Sequence, residues 1–252
     1  FQHRASMRRR KNQIKSLQRD DGSTTQDVPE MANLVNTFYK NLFTSEGTPG
    51  MNEVLDTVPC KVTSEMNENL TAPYTAEEVK TALFQMYPTK APGPDGYPAH
   101  FFQRHWALCG NEVTDVVLRI LRREESPEVI NETILVLIPK VKDPTQLTQF
   151  RPISLCNVLY KIASKVLSNR LKIILPDIIS EEQSTFVPGR LITDNIITAY
   201  ECLHFMKRNK AQRNRFCAVK VDMMKAYDRV EWSYLEAIML KMGFAPSWVA
   251  LI

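Results

Sequence analysis

Apolar residues recur at helical spacing along most of this chain. Met31, Leu34, Val35, Phe38 and Leu42 predict a helix over Val28 to Leu42. Thr75-Ala-Glu-Glu78 has the spacing of a capping box, and Val79, Ala82, Leu83 and Met86 then give one apolar face that must end near Pro88. Phe101 to Leu108 predicts another helix, and Val113, Val116, Val117, Ile120 and Leu121 mark the next. Val158, Ile162, Val166 and Leu171 share a face of a helix over 157–175, with Pro176 as its stop. A further helix is predicted over Leu191 to Arg208. The last is capped by Ser233 and Glu236, runs through Met242 and stops at Gly243.

The period changes in two places. Ile134-Leu-Val-Leu-Ile138 reads as a buried strand bounded by Pro139, Val141 to Thr145 as a turn, and Phe150 to Leu155 as a return strand. Pro152 marks that return as an edge or an irregular strand. Phe216 to Val221 reads as a second site of strand, ending at Asp222, with Lys225, Ala226 and Tyr227 on a short turn behind it. Helices with a few strands make the fold class α+β. Residues 1–19 read as a helix or a disordered arm, 20–23 as a turn and 47–50 as a loop.

At 252 residues, 44% hydrophobic and 24% charged, the composition is that of a globular chain with room for one large domain or two small ones. The longest aliphatic run, Ile134 to Ile138, is far too short to cross a bilayer, so no membrane partner is expected. The basic start is followed by no apolar core of a signal peptide, and secretion is not expected. Five cysteines stand singly, with no Cys-x-x-Cys or His-Glu-x-x-His spacing. That speaks against zinc and suits a reducing compartment. The net charge of +4 is unevenly placed. Residues 1–19 hold Arg4, Arg8, Arg9, Arg10, Lys11, Lys15 and Arg19 and no acid, leaving 25 basic against 28 acidic residues elsewhere. Such a segment either contacts a phosphate backbone or is a solvated helix or tail.

Three stretches carry candidate chemistry. A carboxylate at the end of a buried strand is costly without a charged neighbour, and Mg²⁺ would satisfy Asp222. From spacing alone the simpler reading is an exposed aspartate capping the next helix. Lys140, Lys142 and Arg151 lie near the two arms of the 134–155 hairpin. They would suit a triphosphate or be plain surface charge. Lys90-Ala-Pro-Gly-Pro-Asp-Gly96 is a rigid loop in which two prolines fix φ and two glycines permit positive φ. It lacks the Gly-Lys-Ser/Thr of a phosphate-binding loop and reads first as a connector.

Asp222-Met-Met-Lys-Ala-Tyr-Asp228, followed by Arg-Val-Glu-Trp232, resembles the first catalytic motif of reverse transcriptases from LINE-type (non-LTR) retrotransposons, especially those of plants. The Met223-Met224 pair is a mild departure, since family members more often carry a smaller or polar residue there. Lys90 to Gly96 with Pro98 and Phe101-Phe102, Ile138-Pro-Lys140, Phe150-Arg-Pro-Ile153, Ser154 to Ile162 and Gln183-Ser-Thr-Phe-Val-Pro-Gly-Arg190 resemble further family motifs in the family's order. Thr185 is slightly large for its slot.

The resemblance implies a partial right-hand polymerase. Residues 1–70 would be a basic linker and helical N-terminal region, and 71–252 the N-terminal part of a reverse transcriptase domain, with a fingers β-hairpin and the first part of the palm. It implies that Asp222 is catalytic and binds Mg²⁺ (or Mn²⁺) with the carbonyl of Met223. Lys140 and Arg151, and the backbone amides of Lys225 and Ala226, would hold the dNTP phosphates. Tyr227 would stack under the sugar and exclude a 2′-hydroxyl, and Asp228 would orient the turn. Gln183 and Arg190 would lie near the RNA template and DNA primer. Residence in the nucleus or cytoplasm follows from the family alone.

Nucleotidyl transfer uses two metal ions about 3.5–4 Å apart, held by several carboxylates. The Gly-Leu-Arg-Gln-Gly-Asp-Pro-like and aromatic-Ala-Asp-Asp motifs of the family do not occur in these 252 residues, nor does an endonuclease. The expectation is a reverse transcriptase fragment inactive by itself. The alternatives are an RNA- or DNA-binding fragment without catalysis, or the product of a decayed element.

Overall fold

A computed structural model describes Met7, Arg10 and residues 12–45, 47–208, 217–223 and 226–252. The chain divides into two units, residues 1–47 with 74–164 and residues 48–73 with 165–252.

The first unit contains two small antiparallel sheets. Strands β1 (Leu17–Gln18) and β2 (Thr24–Thr25) pair around the turn at 19–23. Helix α1 (Val28–Leu42) follows, capped by the Asp27 carboxylate, which accepts from the Glu30 N–H at 3.0 Å. The expected stripe of Met31, Leu34, Val35, Phe38 and Leu42 packs on a core of Leu17, Tyr39, Leu137 and Phe150. The last two come from β3 (Thr133–Pro139) and β4 (Phe150–Cys156), which pair antiparallel with Leu137 opposite Pro152 and Ile138 opposite Arg151. Pro152 is tolerated because a two-stranded ribbon consists of edges only.

The rest of this unit is helical. Helix α4 (Ala76–Phe84) begins at the expected capping box. Glu78 N–H donates to the Thr75 hydroxyl at 3.3 Å, and Thr75 N–H to the Glu78 carboxylate at 2.9 Å. It buries Val79, Ala82 and Leu83 and packs on α5 (Ala99–Arg104) and α6 (Trp106–Leu121). Helix α7 (Val158–Ile178) starts in this unit, burying Val158 and Ile162, and ends in the other.

In the second unit, α2 (Met51–Asp56) and α3 (Ser64–Thr71) pack on α9 (Trp232–Lys241) and α10 (Pro246–Val249). Lys61 and Val62 N–H both donate to the Met242 carbonyl, and Asn67 bridges the Gly243 carbonyl and the Ala245 N–H. Arg170, only 8% exposed, donates to the carbonyls of Leu70, Ala72 and Pro73 and so satisfies the end of α3. Trp248, Leu70 and Val166 are among the fully buried side chains.

Several expectations are corrected. Residues 217–223 form no strand and are exposed, with Val219 78% and Val221 86% accessible; Phe216 lies outside the described residues. A strand exists through its ladder, and no strand among the described residues pairs with this one. The 134–138 strand is not buried. Only Leu137 is, because α1 covers a single face of the ribbon. Residues 17–18 are extended where an arm or helix was expected. Pro176 lies inside the last turn of α7, which runs two residues past it to Ile178. The helix predicted over 101–108 breaks at His105, and its second half joins α6 without a proline or glycine at the break. Ser233 does not cap α9, which starts at Trp232.

Candidate nucleotide and nucleic-acid site

The two hairpin cations converge. The Lys140 N–H donates to the Gln149 carbonyl at 2.8 Å and so extends the ladder one step beyond Pro139 opposite Phe150. Side chains alternate along a strand, so Lys140 shares a face with Ile138, and Ile138 lies directly opposite Arg151. Both cations therefore stand on the face turned away from Leu137 and Phe150, at one end of an apolar strip with exposed Ile134 and Ile153. Arg151 is exposed, and Lys140 uses one of its donors on the Thr148 carbonyl at 3.1 Å.

Gln183 and Arg190 are also brought together, in the loop behind α7. The Arg190 guanidinium donates to the carbonyls of Pro176 (3.1 Å), Ile179 (3.0 Å) and Gln183 (2.7 Å), and to that of Ser180. It thus caps the C-terminus of α7, where a cation also meets the favourable end of the helix dipole. Gln183 is exposed. Beneath it Ser184 is buried and accepts from the Asn195 amide at 2.7 Å. Asn195 belongs to α8 (Ile192–Arg208), which buries none of its residues.

Asp222 and Met223 sit in the exposed irregular segment. The Asp222 carboxylate has no partner among the described residues. Lys225 lies outside the described residues. Ala226 opens a 3₁₀ turn, Ala226–Arg229, on which Tyr227 is 80% exposed. Carboxylate and carbonyl oxygen are ligands that Mg²⁺ prefers. They are nevertheless too few: among the described residues no three His, Cys, Asp or Glu side chains converge on a point that could hold a metal ion. No catalytic step through a metal follows from these residues by themselves.

The loop from Lys90 to Gly96 has a role that its composition did not reveal. Asp95 N–H donates to the Asn157 side-chain oxygen at 3.3 Å, the Lys161 ammonium donates to the Ala91 carbonyl at 3.2 Å, and Tyr97 N–H returns to the Asp95 carboxylate at 3.1 Å. The loop is thereby docked on the start of α7, immediately after β4. Asn157 was the residue to look for, a side chain with both donor and acceptor placed just before an apolar helical run.

Residues 138–252 match the family described as reverse transcriptase (RNA-dependent DNA polymerase). This segment is similar to reverse transcriptase sequence. Lys140, Arg151, Gln183, Arg190, Asp222 and Tyr227 all fall within it. The likeness to a transposable-element protein reaches further towards the N-terminus. Over 244 residues, 96% of this chain, the sequence is 32% identical to the uncharacterized 149 kDa protein of transposon TX1 from Xenopus laevis. The chain spans 18% of that protein's length. The reverse transcriptase match begins at the end of β3, so the hairpin cations open it and the Asp222 segment lies towards its end.

Proposed function

We propose that this chain supplies the fingers and the first catalytic carboxylate of an RNA-directed DNA polymerase of a non-LTR element, of the kind found in plants. One observation carries the reading: the reverse transcriptase match contains both the paired hairpin cations and the Asp222 to Asp228 motif. In this reading 1–70 is a linker region and 71–252 the start of the polymerase domain. Lys140 and Arg151 bind triphosphate oxygens, Arg as a fork and Lys as a point charge. Backbone amides at Lys225 and Ala226 assist them, Tyr227 selects against a 2′-hydroxyl, and Gln183 touches template or primer. A divalent ion would neutralise the pyrophosphate that leaves. Asp222 and the Met223 carbonyl would be two of its ligands, and the remaining carboxylates must come from outside these residues.

The test is an RNA-templated primer-extension assay with Mg²⁺ on the purified protein, alongside equilibrium dialysis of a dNTP. The expected result is no extension, with Mg²⁺-dependent dNTP binding that weakens in Lys140→Ala, Arg151→Ala and Asp222→Asn. Extension that survives in Asp222→Asn overturns the role given to that residue. Absence of any dNTP or nucleic-acid binding overturns the reading as a whole.

A further inference from the structure

Asn157 stands directly after β4, and its carbonyl accepts from the Lys161 N–H at 3.2 Å, a bond that opens α7. An asparagine in that place ordinarily turns its side-chain oxygen onto an N–H of its own helix. Here the oxygen accepts instead from the Asp95 N–H at 3.3 Å, and the side-chain nitrogen lies 3.5 Å from the Ile130 carbonyl. One turn further on, the Lys161 ammonium donates to the Ala91 carbonyl at 3.2 Å. Gly93 packs on the peptide link between Cys156 and Asn157, where a β-carbon would fall 2.5 Å from the Cys156 carbonyl carbon.

These contacts fall at the base of the ribbon. Ile130 is buried just before β3, and Asn157 follows β4. The 90–96 loop belongs to the helices, since it links α4 to α5, and both pack with α6. The ribbon instead buries Leu137 and Phe150 with Leu17, Tyr39 and the stripe of α1. Asn157 thus joins the segment that enters the ribbon, the segment that leaves it and a loop between two helices. The lever beyond this joint is long. Arg151 lies six positions from Asn157, which is about 20 Å at roughly 3.3 Å per residue. A swing of about 10° at the base would carry Arg151 through about 3–4 Å, more than a hydrogen bond to a phosphate oxygen tolerates.

We propose that Asn157 is a positioning residue: it clasps the base of the ribbon to the 90–96 loop and so fixes where Lys140 and Arg151 present their charges. Its effect on a nucleotide rests on the reading of those two cations as triphosphate ligands, whereas the clasp stands on the geometry alone. Asn157 and Lys161 touch no phosphate here and act only through the ribbon. Asparagine suits the joint because one side chain accepts from Asp95 and faces Ile130 with a donor. Aspartate keeps the acceptor and loses the donor, and alanine loses both.

The test uses the whole chain with spin labels on ketone-bearing unnatural side chains in place of Glu112, exposed on α6, and Lys142, exposed at the ribbon's turn. The native cysteines then stay as they are. Double electron–electron resonance reads the label-to-label distance, and equilibrium dialysis of dTTP with Mg²⁺ is run on the unlabelled variants. The expected result is one narrow distance with Asn157 present and a broadened one in Asn157→Ala, with dTTP affinity lower by about tenfold, the worth of one charge-assisted hydrogen bond. Asn157→Asp recovers part of both readouts. Lys161→Met leaves Asn157 in place, broadens the distance less, and decides the matter if Asn157→Ala does not fold. A residue that serves only stability would lower the urea midpoint and leave the distance and the dTTP affinity of the folded protein unchanged, and that outcome overturns the proposal. A broadened distance with unchanged dTTP affinity, where Arg151→Ala does weaken binding, overturns the positioning role as well. If dTTP does not bind, or binds equally well to Arg151→Ala, the reading of the ribbon cations falls, and the distance measurement still decides the clasp.

Discussion

Gly93 lies against Asn157 so closely that a β-carbon on it would fall 2.3 Å from the Asn157 Oδ1 and 2.4 Å from its backbone nitrogen. Real β-carbons do not approach that near, and the backbone atom cannot swing aside. The glycine of the loop's Pro92-Gly93 step thus matters through its missing side chain, since it lets the 90–96 loop lie on the first turn of α7. Gly93→Ala is expected to destabilise the protein by about 1–3 kcal/mol, the usual penalty of overpacking, or to lift the loop away. Urea unfolding gives the first, and faster amide exchange at Asp95, whose N–H bonds Asn157, reports the second.

Glu30 gives a pH dependence with a definite sign. The Arg19 guanidinium holds its carboxyl down to about 2 from an ordinary value of 4.5, with help from the Thr25 hydroxyl, which donates at 2.5 Å. Arg19 meets both carboxylate oxygens, at 2.5 and 2.9 Å. A folded-state value below the unfolded one means the stabilising contribution is complete above pH 4.5 and is lost as pH falls from there towards 2. Urea melts between pH 6 and 2 should show this loss, and Glu30→Gln should remove that share of the slope. A variant that retains the full slope would show that other carboxylates carry it.

Gly243 meets two demands at once. Its φ of +95° is a conformation that residues with a side chain rarely adopt, and a β-carbon there would come within 2.6 Å of the Cys60 Sγ and 3.0 Å of the Val62 carbonyl. Gly243→Ala should cost about 1–2 kcal/mol from the backbone alone. The overlap with Cys60 adds to this. In Gly243→Ala with Cys60→Ala, part of the loss should return, because the thiol is gone while the backbone penalty remains. Denaturant midpoints of the two variants check it.

What the chain's pattern made legible divides along a physical line. Helices such as α1 and α4 were legible because periodicity and caps act locally, whatever partner the stripe then packs on. The hairpin was legible because Pro139 and a turn bracket two apolar runs. The strand expected over 216–221 does not form over its described part, 217–221, because β-branched composition shows only a capacity to pair, and the described residues include no partner strand. Lys140 and Arg151 were readable as a pair because the ribbon register brings them together. The hold of Asn157 on the loop was not, since it links residues 62 positions apart. Nor was the grip of the hairpin turn on Lys15 and Gln18, 128 positions away. Long-range polar contacts leave no periodic trace.

Gln183 and Arg190 share a loop, yet they should respond differently to mutation. Arg190 places its guanidinium on four carbonyls at the end of α7, while the Gln183 side chain is exposed. Arg190→Ala leaves those carbonyls to water and should cost about 1–3 kcal/mol, with fraying of the last turn of α7. Gln183→Ala should leave the melting temperature unchanged, because it removes no buried group. If the loop contacts template or primer, Gln183→Ala lowers nucleic-acid affinity at constant stability, whereas Arg190→Ala lowers both, and Arg190→Lys recovers only a part because one ammonium cannot span four acceptors. Melting curves and oligonucleotide binding on the same three variants separate the cap from the contact. Loss of affinity in Arg190→Ala alone, in step with its loss of stability, would leave Arg190 as a cap and remove the loop from the nucleic-acid site.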